Sequence, residues 1–165
     1  MARRVLYSFH FANDAWRASQ VRRIGSIEGN RPVTDNEWEQ VKKGGDAAIK
    51  KWIDGQLDGK SCTVVLVGAA TAGRKWINYE VEKSWNDGKG VVGIRIHNLK
   101  DSSGNACLAG SNPFDTFTMN RDSKKLSAIV TLYDPPGFDS KAVYASIESN
   151  VERLVEEAVK IRTNY

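Results

Sequence analysis

A chain of 165 residues, with 41% hydrophobic and 27% charged side chains, has enough apolar material for one buried core and too much for a disordered segment. Its formal charge of +4 comes from 24 basic residues interleaved with 20 acidic ones, the pattern of a solvated surface that can attract an anionic ligand, not of a nucleic-acid-binding face. Its two cysteines, Cys62 and Cys107, and two histidines, His10 and His97, are too scattered for a disulfide framework or a metal site, so no metal is expected.

In chain order, RVLYSFHF (residues 4 to 11) reads as a strand closed by the polar turn AND. Because Ser8 and His10 interrupt its apolar run, the opening MARRVLYSFHF is not expected to be a signal peptide. No later stretch approaches a membrane span, and a cytoplasmic protein is expected. Residues 13 to 24 follow with Ala15, Trp16, Ala18, Val21 and Ile24 at helical spacing, and SIEGNRPV reads as a loop. Two short helices come next. Thr34 or Asp35 caps the first, and Gly44-Gly45 separates it from a second that starts at Asp46.

SCTVVLVG (61 to 68) has no polar face, as a parallel strand covered on both sides requires. The loop AATAGRK leads to a helix over 76 to 87, with Ile77, Val81 and Trp85 on one side. Strands are predicted at 90 to 97 and at AIVTLYD (128 to 134), and a closing helix from Ser140 to Arg162. The alternation predicts an α/β fold: a flavodoxin-like, doubly wound, mostly parallel sheet of four to five strands between helices, in three layers. A single domain over 1–165 is expected, with 98–125 as a long loop or insertion of the kind that often forms a lid or binding loop.

In such folds ligands bind beyond the carboxyl ends of the strands, where the strand order reverses. The turn after the first strand lacks the glycines of a dinucleotide-binding fingerprint, and neither a Walker A sequence nor G-x-S-x-G is present. The buried strand ends in Val67-Gly68, without the aspartates of a phosphoacceptor. Phe9, His10, Phe11 and Trp16 can instead form a flat wall suited to an aromatic ring, and the backbone of GAATAG can approach phosphate or simply make a tight turn. Trp76 reads as packing or ligand contact. Glu80, one turn into its helix, reads as a solvated carboxylate favoured by the helix dipole or as a group placed for chemistry.

SFHFAND and GRKWINYEVEKS resemble two motifs of TIR domains, F-I-S-Y-S/F-x-x-D and S-x-W-C-x-x-E-L. Trp76 falls on the tryptophan and Glu80 on the glutamate that catalytic TIR domains use. The resemblance is nearest to the TIR-like proteins of the bacterial Thoeris antiphage system. It extends from residue 3 to about 117 and includes IKKWIDGQL, VVGIRIHNLKDSSGN and Ser111-Asn112-Pro113-Phe114-Asp115. Gly73-Arg74-Lys75 and Ile77 depart from the family pattern, as does the loop SIEGNRPVTDNEW.

The resemblance implies an NAD-consuming enzyme that cleaves the nicotinamide–ribose bond and makes a cyclic ADP-ribose isomer, a diffusible antiphage signal for a partner effector. It implies Glu80 as the catalytic residue and Ser8, Phe9, His10, Phe11, Asp14, Trp76 and Asn112 as substrate-binding residues, with Asp115 a weaker candidate and Arg74 and Lys75 near phosphate or solvated. NAD is the substrate, no cofactor is implied, and self-association is expected. A non-enzymatic TIR-like interaction module and a nucleoside deoxyribosyltransferase-like enzyme remain as alternatives.

Overall fold

The computed structural model describes residues 3–31, 35–119 and 123–165. The elements are β1 (Arg4–Ser8), α1 (Phe11–Arg22), β2 (Glu28–Gly29), α2 (Asp35–Lys43), α3 (Gly45–Leu57), β3 (Cys62–Val67), α4 (Lys75–Asn86), β4 (Gly90–Arg95), β5 (Leu132–Tyr133) and α5 (Ser140–Thr163). The five strands are all parallel, in the order β2-β1-β3-β4-β5, which is the expected flavodoxin-like order. No helix among the described residues is long and apolar enough to cross a membrane.

Strand alternation assigns the two faces. Val5, Tyr7, Val64 and Leu66 join Ala18 and Val21 of α1 and Ile147 and Val151 of α5 in one core. On the opposite face Val65 and Val67 pack with Ile77 and Val81 of α4. Leu6 packs with Ile49, Ile53 and Leu57 of α3, and Trp76 and Tyr79 lie against that group. β3 is fully buried along its length because both of its faces are covered, which is why its sequence shows no alternation.

Four expectations differ from the structure. The first helix starts at Phe11, not residue 13, so that His10 stands at its N-cap position. Trp16 is 53% exposed, although Ala18, Val21 and Ile24 of the same expected stripe are buried. SIEGNRPV, expected as a loop, contributes the edge strand Glu28–Gly29, paired in parallel with Arg4 and Val5. AIVTLYD forms only the strand Leu132–Tyr133. It begins with a 3₁₀ turn over Leu126–Ala128, Ile129 is helical (φ −116, ψ −46), and Pro135-Pro136 then remove the donors a longer ladder needs. The Thr34 cap lies outside the described residues.

Within 98–125 the described residues carry their own structure. Phe114 of the 3₁₀ turn Pro113–Thr116 is fully buried against Val65 and Ile77, and Thr118 bridges antiparallel to Lys125.

Candidate functional site

Glu80 sits on α4 between two anchoring sets, Ile77 and Val81 on one side and Trp76 and Tyr79 on the other. That helix starts at the carboxyl-end rim of the sheet, so Glu80 lies over the end of β1. There Ser8 Oγ donates to its Oε1 at 3.1 Å. The residue remains partly exposed, yet protein crowds its carboxyl group. Desolvation pushes its pKa from the ordinary 4.5 up to about 8, against the lowering effect of the Ser8 hydrogen bond. No ion pair of Glu80 occurs among the described residues. Its backbone oxygen accepts from Ser84 Oγ at 2.6 Å.

His10 and Asp14 frame the same rim from the start of α1. Burial and the positive charge of Arg74 lower the His10 pKa, whereas Asp14 raises it, and His10 Nδ1 is buried with no hydrogen-bond partner among the described residues. Asp14 is 1% exposed and pairs with the equally hidden Arg17 at 3.2 Å. Burial raises its pKa, and Arg17 works against that rise. The Asp14 carboxyl group lies against Gly68, where any Cβ would collide with it. Gly68 therefore serves close approach, as does Gly110, whose missing side chain leaves room for the carbonyl oxygen of Gly68.

The remaining candidates occupy other surroundings. Phe9 packs toward the α1 and α5 core and stacks with the exposed Phe11, ring centroids 6.4 Å apart. Trp76 contacts Tyr79 edge-on at 6.0 Å in the cluster over α3. Asn112 caps the 3₁₀ turn by accepting from Phe114 N at 2.9 Å, and Asp115 is exposed. Arg74 donates to the Ala70 carbonyl at 3.1 Å, and Lys75 pairs with Asp46. In GAATAG the Gly68 N–H is taken up within the turn, donating to Thr71 Oγ1 at 2.8 Å. The structure thus joins Ser8 directly to Glu80 and brings Asp14 and Arg74 each within electrostatic reach of His10. It sets Phe11, Trp76 and Asn112 in separate contacts.

Arg17 is a residue that the sequence reading missed. Besides Asp14 it donates to Leu99 O at 2.8 Å and to Asn105 O at 2.9 Å, and Arg95 donates to Gly110 O at 2.7 Å. These two arginines strap the segment after β4 onto the rim. The i,i+3 spacing of Asp14 and Arg17 was the available signal. Two open, shallow hollows, one lined by Asp54, Asp58, Lys83 and Lys89 and one by Asn98, Lys100 and Phe138, do not include Glu80. Among the described residues no group of three His, Cys, Asp or Glu is placed to hold a metal ion.

Comparison with known proteins adds two findings. Residues 6–101 match the family described as "Thoeris protein ThsB, TIR-like domain". A Bacillus cereus (strain MSX-D12) protein named "Putative cyclic ADP-D-ribose synthase ThsB1" is 37% identical over 133 residues, covering 76% of this chain and 69% of that protein. The family match spans more than half of the chain and includes the end of β1, β3 and the Glu80 helix, the elements that build the rim. The chain therefore belongs to the TIR-like domain family of the Thoeris protein ThsB.

Proposed function

We propose that this protein is a TIR-type enzyme that cleaves the nicotinamide–ribose bond of NAD and closes the released ADP-ribose on itself, producing a cyclic ADP-ribose isomer. The relative's name supports the product class. The observation that carries the reading is the Glu80 carboxyl group: crowded by protein, free of any ion pair among the described residues, and held by a hydroxyl at the carboxyl-end rim. A carboxylate whose water is withheld stabilises a nearby cation far more strongly than a solvated one does.

In the reaction the bond between ribose C1′ and the pyridinium nitrogen breaks, and its electron pair leaves with nicotinamide, which becomes neutral. Positive charge then develops on the ribose as an oxocarbenium ion, beside which Glu80 supplies the stabilising negative charge. A nucleophilic atom of the same ADP-ribose attacks C1′ and gives up a proton, so NAD yields the cyclic product, nicotinamide and one proton. The leaving group needs no general acid, so the reading requires neither a second carboxylic acid nor a cofactor. The cyclic nucleotide serves as a diffusible antiphage signal to a partner effector, and self-association of the enzyme belongs to the same reading.

The test is mass spectrometry of small molecules from cells expressing the protein, with and without phage challenge, beside Glu80→Gln. Loss of NAD with appearance of nicotinamide and a cyclic ADP-ribose isomer is expected for the wild type alone. Equal turnover by the variant would overturn the reading.

A further inference from the structure

Ser8 ends β1 on the face of the sheet that carries α4, beside Val65 in the parallel ladder, and is 0% exposed. A hydroxyl so enclosed has no open path to a ligand, yet it donates to Glu80 Oε1 at 3.1 Å. A second set of hydroxyls grips the other end of the same residue. Ser84 Oγ donates to the Glu80 backbone oxygen at 2.6 Å, and Thr63 Oγ1 of β3 lies 2.6 Å from Ser84 Oγ. Thr63 and Ser84 are also 0% exposed. Glu80 is therefore held at its side chain from β1, and the turn of α4 that carries it is tied to β3 through Ser84, by three fully buried hydroxyls.

We propose that Ser8 is a positioning residue for Glu80, orienting its carboxylate and sustaining its charged form without touching the substrate; this rests on the reading of Glu80 as the catalytic carboxylate. A hydrogen bond donated to a carboxylate favours ionisation, and here it opposes the desolvation that favours the acid. Other charged groups of this rim are engaged elsewhere. Asp14 is paired with Arg17, Arg74 is bonded to Ala70 O, and burial together with Arg74 lowers the pKa of His10. The shift at Glu80 is accounted for by burial and Ser8.

The experiment compares wild type with Ser8→Ala, Ser8→Cys and Ser8→Thr in two readouts. One is a ¹³C NMR titration of glutamate-labelled protein, with the Glu80 signal assigned by its loss in Glu80→Gln. The other is the pH profile of NAD cleavage. Ser8→Ala is expected to move both the titration and the rising limb of kcat/KM alkaline by about one pH unit and to lower kcat at neutral pH about tenfold, while KM for NAD stays within about twofold. Ser8→Cys, a weaker donor of similar volume, gives an intermediate shift, and Ser8→Thr returns toward wild type.

A Ser8→Ala titration and profile that superpose on the wild type overturn the proposal. So does a raised KM at unchanged kcat, which makes Ser8 a ligand contact. Failure of the underlying reading looks different: Glu80→Gln then cleaves NAD as fast as wild type, whatever Ser8→Ala does to the NMR titration.

Discussion

At the residue scale, the Glu80 carboxyl group titrates near 8 in the folded protein and near its ordinary 4.5 once the chain unfolds. Between those values the folded form holds a proton that the unfolded form releases. Its contribution to stability is therefore whole below about 4.5 and is lost as pH rises toward 8, at a rate of up to ~1.4 kcal/mol per pH unit. Glu80→Gln cannot ionise. It is expected to melt several degrees above wild type at pH 8 and level with it at pH 4.5, as paired thermal unfolding at the two values would read. A variant that is more stable yet inactive is the signature of a group kept for chemistry at the expense of packing.

Asp14 makes the opposite case. Its carboxylate belongs to a buried ion pair, so Asp14→Asn leaves Arg17 with only the more distant and more exposed Asp101, 3.8 Å away, and is expected to destabilise by ~1–3 kcal/mol in urea unfolding. Asp14→Leu with Arg17→Met removes both charges and should recover much of that loss. A stable Asp14→Asn protein with weakened NAD binding would instead restore Asp14 as a ligand contact.

At the element scale, two tryptophans that look equivalent in the sequence separate. Trp16 lies on the open side of α1, and Trp16→Ala is expected to change stability by no more than ~0.5 kcal/mol. Trp76 helps seat α4 over α3, so Trp76→Ala is expected to lose ~1–3 kcal/mol and to reduce turnover by shifting the helix that carries Glu80. Melting temperature and NAD cleavage, measured on both variants, check the contrast.

The same elements indicate what could be read in advance. β3, α4 and α5 were legible because long apolar runs and stripes are properties of contiguous residues. β2 was not, and β5 was legible as a strand but not in its length, since the extent of a two-residue edge strand is set only by register with its neighbour. Phe114 gave no local sign that it would be the largest fully buried side chain among the described residues. Glu80 was singled out by a resemblance, but its partner Ser8 lies 72 positions away, and no spacing rule reaches that far.

At the scale of the whole molecule, the strand order marks the place where open α/β sheets take their ligands. β1 is flanked by β2 on one side and β3 on the other, so the chain reverses direction across the sheet between β1 and β3. The helices that follow those two strands, α1 and α4, diverge to opposite faces and leave their starts apart at the carboxyl-end rim. Ser8, His10, Gly68 and Glu80 are the residues that this divergence brings to one place, and the strap held by Arg17 and Arg95 borders it. The opposite rim is built otherwise: Lys83 pairs with Asp87, and Lys89 donates to Lys60 O at 2.6 Å, closing it with its own charges. NAD added to Glu80→Gln, which keeps the shape of the site but not its charge, should therefore slow amide hydrogen exchange in 8–14, 68–76 and 96–112. Exchange in 54–60 and 87–90 should not change. Because the strap meets the rim through backbone carbonyls, Arg17→Lys should raise exchange over 99–107 and weaken that protection together. Protection appearing at the opposite rim would place the ligand on the wrong end of the sheet for Glu80 to act on it.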